Sequence, residues 1–159
     1  MGQTISMGKI PDPAESVTVT IRPTRLTDAA AFAGLATQLG YLSSPPQVEE
    51  RLTAVLHDPK HLILAADSEG RVVGWAHAYV CCLVESDMYV ELGGLVVDES
   101  HRGRGIGAKL VEEVEGWARR KGARAVSLRS NIVRHEAHKF YAARGYEQIK
   151  TQHAFRKPL

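Results

Sequence analysis

The chain has 159 residues, 44% of them hydrophobic, and a formal net charge of only +2 at pH 7. This length is enough to bury one core, and no shift in composition marks a second domain. The scattered basic residues argue against a nucleic-acid-binding protein, and the lack of a long apolar run argues against a membrane-spanning helix. We therefore expect a soluble, cytoplasmic protein with a single domain over residues 17–159.

Two further features concern the ends of the chain and its redox environment. Residues 1–16 are polar and contain Pro11 and Pro13, which predicts a flexible leader. Cys81 and Cys82 are adjacent, so on a strand they would point to opposite faces and could not easily form a disulfide. This fits a reducing compartment, and the sequence has no spacing typical of metal ligands.

Hydrophobic periodicity predicts a mixed α/β order along the chain. The predicted strands are 17–22, 61–66, 71–84, 88–97, 125–128 and 146–157. Four helices are predicted to begin near Thr27 as N-cap, at the capping-box sequence Ser44–Gln47, at Gly105 and at Arg134, and to end near residues 40, 58, 121 and 144. The turn sequence Asp67–Gly70 predicts an antiparallel hairpin, and Gly93–Gly94 predicts a bulge or a close approach of a ligand to the backbone.

A glycine-rich basic loop lies between the fourth strand and the third helix. It reads His101-Arg102-Gly103-Arg104-Gly105-Ile106-Gly107-Ala108. Glycine lets an anion approach the backbone, and a helix N-terminus presents N–H groups and the positive end of its dipole. The loop is therefore predicted to bind phosphate groups. Its glycine spacing does not fit a nucleoside-triphosphatase loop or a dinucleotide-binding loop.

This loop, Leu92–Asp98 before it and Ala137–Tyr146 after it resemble the GNAT superfamily of acyl-CoA-dependent N-acetyltransferases. Arg102, Gly105 and Gly107 match the R-x-x-G-x-G/A signature of that superfamily. The resemblance implies an α/β fold with a central, mixed, mostly antiparallel sheet of about six or seven strands and four flanking helices. It implies fourth and fifth strands that splay apart. It also implies transfer of an acetyl group from acetyl-CoA to a primary amine, directly and in a ternary complex.

The resemblance assigns the donor site to three parts of the chain. The phosphates would be bound by Arg102, Gly103, Arg104, Gly105, Ile106, Gly107 and Ala108. The pantetheine arm would contact the backbone of Leu95, Val96 and Val97, with Asn131 and Tyr141 as further contacts. Asn131 has a second interpretation, because a Ser-Asn pair also caps loops.

Glu91 is the predicted base that takes a proton from the amine, because it lies where members of the superfamily often carry an acid. Alternatively, Glu91 faces solvent, since a shift in strand pairing reverses the face of every side chain. Glu85 and Asp87 are reserve candidates for the same role.

Tyr141 matches the tyrosine that in many members protonates the departing thiolate, a task suited to a phenol. Its alternative role is that of an aromatic residue packed in the core. His135 and His138 on the same helix are interpreted as surface residues, because no nucleophile with suitable geometry accompanies them.

The resemblance places the acceptor site near residues 38–47 and 83–89. The tail Lys150–Lys157 is similar to that of aminoglycoside 6'-N-acetyltransferases, and a homodimer through the last strand region is expected. Two other functions stay open. One is a non-catalytic acyl-CoA-binding regulatory module, which needs the loop but neither Glu91 nor Tyr141, and the other is a nucleic-acid-binding domain.

Overall fold

The computed structural model describes residues 18–159, so the predicted leader lies outside the described residues. The strands β1 to β5 are Val19–Pro23, His61–Ser68, Arg71–Leu83, Ser86–Val97 and Val126–Leu128. The helices α1 to α4 are Ala29–Gln38, Pro45–Val55, Ile106–Arg120 and His135–Ala142. All four predicted helices and the first five predicted strands are confirmed.

The strands form one sheet in the order β1-β2-β3-β4-β5, and the first four are antiparallel. The N–H of Arg124 donates to the carbonyl of Met88, and the N–H of Val90 donates to the carbonyl of Ala125, each at 3.0 Å. Residue numbers rise together along these two segments, so β4 and β5 run parallel. The α/β fold with a mixed, mostly antiparallel sheet is confirmed, but the sheet has five strands rather than six or seven.

The predicted strand over residues 146–157 is wrong, because the described residues after α4 contain no strand. Its alternating pattern suggested one buried face. Instead, Ile149 and Phe155 are both exposed, so the segment has no apolar face packed on a sheet.

The chain divides into two compact units, one ending at Ser127 and one over Leu128–Leu159. The first unit holds α1 to α3 and the buried core, and the second holds α4. A single domain over residues 17–159 stays a prediction. None of the helices in the described part of the chain is long and apolar enough to cross a membrane.

Helices α1 and α2 pack on one face of the sheet. Phe32 of α1 stacks on Trp75 of β3 with ring centroids 5.3 Å apart, and Leu52, Ile63 and Ala65 belong to the same cluster. Side chains alternate between the two faces along a strand. The fully buried residues that alternate with Ile63, Ala65 and Trp75 along their strands therefore point to the opposite face, where α3 packs. Helical spacing predicts one apolar face of α3, and that face is buried there together with Val111: Ile106, Leu110, Val114, Trp117 and Ala118.

Local hydrogen bonds set the helix starts. The predicted capping box of α2 is confirmed, because Ser44 Oγ accepts from the N–H of Gln47 at 3.4 Å and Gln47 Oε1 accepts from the N–H of Ser44 at 2.9 Å. The predicted N-cap Thr27 of α1 is wrong. Leu26–Asp28 forms a turn of 3₁₀ helix. The N–H of Arg25, just before this turn, donates to the Asp28 carboxylate, and α1 begins after the turn.

The predicted hairpin joins β2 and β3 through Glu69 and Gly70, whose φ angles are 53° and 86°. Farther along, Asp67 pairs with Val72 but Ala66 pairs with Gly74, so Val73 is one extra residue on β3. This bulge shifts the register of the two strands by one position.

A second bulge lies on β4 and confirms the prediction for the glycine pair. His77 pairs with Gly94, whereas Ala78 pairs with Leu92, so Gly93 is the extra residue. The bulge reverses which side chains of β4 share a face with those of β3.

Candidate active site

The predicted phosphate loop connects the end of β4 to the start of α3. Gly103 and Gly105 are both left-handed, with φ angles of 74° and 77°, and Gly105 immediately precedes α3. The first helical hydrogen bond runs from the N–H of Lys109 to the carbonyl of Gly105 at 3.1 Å. The N–H groups of residues 106–108 therefore lie at the open end of the helix, where its dipole is positive. This geometry suits an anionic group.

Side-chain hydrogen bonds hold the loop against β4. Arg102 Nε donates to the carbonyl of Val97 at 3.0 Å. The Asp98 carboxylate caps the next turn by accepting from the hydroxyl of Ser100 and, at 3.0 Å, from its N–H. The Ser100 hydroxyl, more than the neighbouring His101, holds the pKa of Asp98 well below its usual range, so this carboxylate stays ionised at neutral pH.

One side chain links the loop to α1. Gln38, the last residue of α1, donates from Nε2 to Asp98 Oδ2 at 3.3 Å. Its Oε1 accepts from the N–H of Glu99 at 3.1 Å. The end of α1 and the turn that begins the loop are therefore held by the same amide.

The glycine pair of β4 lets aromatic rings of β3 lie against its backbone. A Cβ on Gly94 would lie 2.6 Å from Cζ3 of Trp75, and a Cβ on Gly93 would lie 2.9 Å from Cε1 of Tyr79. Any larger residue would have to displace a ring from a packed position. In the described structure, the close approach predicted at these glycines is made by the protein's own rings.

A cavity of about 610 Å³ lies over this part of the sheet, under α1 and α2. This size is typical of a pocket for a small molecule, for which about 300–1,000 Å³ is usual. Trp75, His77, Gly93 and Gly94 contribute from the sheet, while residues 39–43 contribute from the loop between the two helices. The latter fall within the first segment predicted to shape the acceptor site.

A polar cluster occupies the same face of the sheet. His61 Nδ1 and His77 Nε2 are 2.9 Å apart, and both rings contact Tyr79, with centroids 5.7 and 5.8 Å away. Glu91 pairs directly with Tyr79 across β3 and β4, which places it on this face. Burial, with a contribution from His61, lowers the pKa of His77 to about 4, so His77 is neutral at neutral pH.

Glu91 is buried, with 4% of its surface exposed, so the alternative that it faces solvent is wrong. The physical reason is the register of β3 and β4 between the two shifts at His77/Ala78 and Cys81/Leu83, which pairs Glu91 with Tyr79 and so keeps both side chains on one face. The reserve candidates Glu85 and Asp87 are exposed. Sequence reasoning missed His61 and His77, and a correct hairpin register was the signal that could have paired them.

Helix α4, in the second unit, carries Tyr141. Its ring contacts those of Phe140 and Tyr146, with centroids 5.1 and 5.6 Å away. Burial raises the pKa of the Tyr141 phenol, opposed in part by the charge of Arg134, so the hydroxyl keeps its proton at neutral pH. Gly145, with φ of 83°, follows the end of the helix as predicted.

Asn131 orders the loop before α4. Its Oδ1 accepts from the N–H of Val133 at 3.2 Å, and its carbonyl accepts from the N–H of Arg134 at 3.0 Å. His138 Nε2 lies 3.0 Å from the same carbonyl. These bonds match the loop-capping interpretation, while a contact of Asn131 with a cofactor stays a prediction.

A mixed sheet whose fourth strand leads from a small-molecule cavity to a glycine-rich helix N-terminus is the architecture of an α/β enzyme with an anionic cosubstrate. The sequence pattern of the Acetyltransferase (GNAT) family matches residues 30–146, more than half of the chain. The chain belongs to this family. It is an N-acetyltransferase that uses acetyl-CoA to acetylate an amine.

Individual relatives agree with this assignment. The chain is 34% identical over 146 residues to an aminoglycoside N(6')-acetyltransferase type 1 of Stenotrophomonas maltophilia, covering 88% of this chain and 94% of the relative. It is 35% identical over 96 residues to an aminoalkylphosphonate N-acetyltransferase of Salmonella typhimurium, covering 60% and 62%. The solved structure of aminoglycoside N-acetyltransferase AAC(6')-Iy in complex with CoA superposes with a TM-score of 0.81 at 23% identity, covering 92% and 99%, and shows the same fold.

Proposed function

We propose that this protein transfers the acetyl group of acetyl-CoA directly to a primary amine held in the cavity, within a ternary complex. The path of β4 is the observation that carries the proposal. Gly93 and Gly94 line the cavity, and Val97, at the end of the same strand, bonds to the phosphate loop. Gly94 and Val97 are separated by only about 10 Å of strand, which brings an acceptor within reach of a donor bound at the loop.

The donor site has the chemistry that coenzyme A requires. We assign its pyrophosphate to the backbone N–H groups of residues 106–108 and to the guanidinium groups of Arg102 and Arg104. The left-handed Gly103 and Gly105 leave open space beside the backbone, where a Cβ would meet no atom within 4 Å. The backbone of Leu95–Val97 is proposed to contact the pantetheine arm, with Asn131 and Tyr141 as further contacts.

The chemistry needs two proton transfers. An alkylamine is mostly protonated at neutral pH, so it must lose a proton before its nitrogen attacks the thioester carbonyl carbon. We assign that proton to Glu91, which is buried on the cavity's side of the sheet. As the C–N bond forms, the C–S bond breaks, and the departing thiolate takes a proton from the hydroxyl of Tyr141.

Replacing Glu91 by glutamine is expected to lower kcat by about a hundredfold, because a positioned base contributes about 10²–10⁴-fold. The loss should be greatest at low pH, where more of the acceptor is protonated, and the affinity for acetyl-CoA should hardly change. The measurement is a pH–rate profile with calorimetry of acetyl-CoA binding. Glu85→Gln, a change at an exposed carboxylate, serves as the matched control. A Glu91→Gln profile that overlays the parent's would show that the base is elsewhere.

The acceptors named for the relatives support an amine. An aminoglycoside and an aminoalkylphosphonate differ in charge and size but share an amino group. The non-catalytic alternative predicts acetyl-CoA binding without release of free CoA for every amine offered. A screen of amines for CoA release therefore separates the two functions.

We also propose that the protein forms a homodimer through its C-terminal segment. The segment is not a strand, but its large apolar side chains Ile149 and Phe155 are exposed, the latter by 93%. Light scattering at a protein concentration of tens of micromolar should give the mass of a dimer. A concentration of about this order suits an interface of modest area. Replacing both residues by glutamate should give a monomer, whereas Val84→Glu, at an equally exposed site, should not. A monomeric parent would reject the proposal.

We also propose that the protein is located in the cytoplasm. Cys81 and Cys82 are both free thiols in the described structure, and Cys82 is exposed. An exposed free thiol is compatible with a compartment that keeps thiols reduced.

A further inference from the structure

The cavity under α1 and α2 has an unusual charge balance for an enzyme that binds amines. Among the described residues that line it, Arg51 is the one with a permanent charge, and no lining residue is acidic. His77 is the other basic group in the lining, and it carries no charge at neutral pH because burial lowers its pKa to about 4. The lining therefore offers one cation and no counter-ion for a second ammonium group.

The rest of the lining is apolar and aromatic. The stacked rings of Phe32 and Trp75 form one wall, and Leu52 and Ile63 are buried beside them. At the rim, Leu42 is 86% exposed, a large apolar side chain left in contact with water. An apolar ligand body would remove this surface from water, which is favourable in proportion to the area covered.

Arg51 is held in place but not neutralised. Its Nη1 donates to Ser43 Oγ at 2.8 Å, which ties the guanidinium of α2 to the loop that lines the cavity. In the described part of the chain, no carboxylate lies within ion-pair distance of it. The guanidinium therefore keeps donors for an anionic group of a ligand.

These observations define an acceptor class. We propose that the acceptor is a monoamine with an apolar or aromatic body and an anionic group that binds Arg51, rather than a polycation. The inference rests on the proposed function, since it names the acceptor for the same site. A polyamine would place its additional ammonium groups near Arg51 without any acidic lining residue to bind them, and like charges brought together reduce affinity.

A matched set of amines tests the class. 4-(Aminomethyl)benzoate, benzylamine and 4-(aminomethyl)benzylamine share one ring and one reacting amine, and differ in carrying a carboxylate, no group or a second ammonium at the far end. A second set of three amines has one more methylene between the ring and the reacting amine, which tests a longer distance between that amine and the group at the far end. In at least one set, kcat/KM measured by CoA release should fall in that order, by about tenfold or more from the acid to the diamine, as expected for a charge-assisted hydrogen bond.

Variants of the arginine make the test specific. Arg51→Gln should reduce the preference for the acid to about threefold or less, and Arg51→Glu should reverse the order. Arg119→Gln removes a similar charge from α3, where Arg119 bonds to Glu115 at 3.4 Å, and should leave the order unchanged. A diamine used as well as the acid by the parent, or an order unaffected by Arg51→Glu, would overturn the proposal.

Binding gives a second readout that does not depend on turnover. The chain has two tryptophans, and in a Trp117→Phe background Trp75 in the cavity is the single fluorophore. Quenching of its fluorescence should rank the amines in the same order, and equal affinity for the diamine would again overturn the proposal. Absence of CoA release with the binding order intact would reject acetyl transfer and leave the ligand class standing.

Discussion

Gly105→Asp is expected to lower the affinity for acetyl-CoA by about a hundredfold or more. Gly105 has φ of 77°, a conformation that costs other residues about 1–3 kcal/mol, so the substitution distorts the turn before α3. The new carboxylate would also lie beside the N–H groups that we assign to the pyrophosphate, where it repels a second anion. The strain lowers thermal stability, whereas the displaced N–H groups and the repulsion lower affinity, by about 3 kcal/mol or about a hundredfold in the dissociation constant measured by calorimetry.

The control is Gly122→Asp at the other end of the same helix. Gly122 has φ of 75°, and the nearest atom to a Cβ added there would be Cε of Met88 at 3.9 Å. Backbone strain and crowding are therefore comparable to those at Gly105. We expect thermal stability to fall in both variants, more for Gly122→Asp because its carboxylate lies at the negative end of the helix dipole, but a loss of acetyl-CoA affinity only for Gly105→Asp. Unchanged affinity in a folded Gly105→Asp protein would remove the phosphates from this loop.

Tyr141→Phe is expected to lower kcat by roughly ten- to a thousandfold, the effect of losing one positioned proton donor. Burial raises the pKa of this phenol, so the parent holds the proton throughout the neutral range and can deliver it to a thiolate. Phenylalanine keeps the ring contacts with Phe140 and Tyr146, and thermal stability should therefore hardly change. The measurement is steady-state CoA release together with a melting curve.

Tyr146→Phe is the matched control for this second variant, since it removes a phenol from the ring that contacts Tyr141. Its kcat should stay close to that of the parent. Full activity of Tyr141→Phe would show that the hydroxyl takes no part in the reaction and that Tyr141 only packs. The latter is the alternative that the amphipathic pattern of α4 left open.

Local chemistry predicted most of the fold. The apolar stripe of α3, the capping box at Ser44 and the hairpin turn at Glu69–Gly70 each depend on residues close together in the chain, and all three are confirmed. The prediction of a strand over residues 146–157 is wrong because a strand depends on a partner that is distant in the chain. A strand needs a neighbour to pair with, and alternation alone cannot supply one.

The faces on which His77 and Glu91 lie could not be predicted, because single-residue shifts of register decide them, and the pair β3–β4 has one such shift at His77/Ala78 and another between Cys81 and Leu83. Without the extra Val73, the hairpin register would place His77 opposite Leu62 and hence on the other face from His61. Without the extra Gly93, Glu91 would lie opposite Val80 instead of Tyr79. The Gly93–Gly94 pair predicted the second bulge, and Gly74, inside the predicted strand 71–84, is the corresponding glycine signal beside the first bulge at Val73.

The amide of Gln38 is expected to couple the two proposed substrate sites thermodynamically. It bonds to Asp98 and Glu99 ahead of the phosphate loop, and it ends the helix whose Phe32 and Ala36 line the cavity. A ligand that moves either element alters the same two hydrogen bonds, and the resulting change in affinity is reciprocal. Both bonds are exposed, so a coupling of about 1 kcal/mol, or about fivefold, is the scale of cooperativity that this contact can transmit between donor and acceptor.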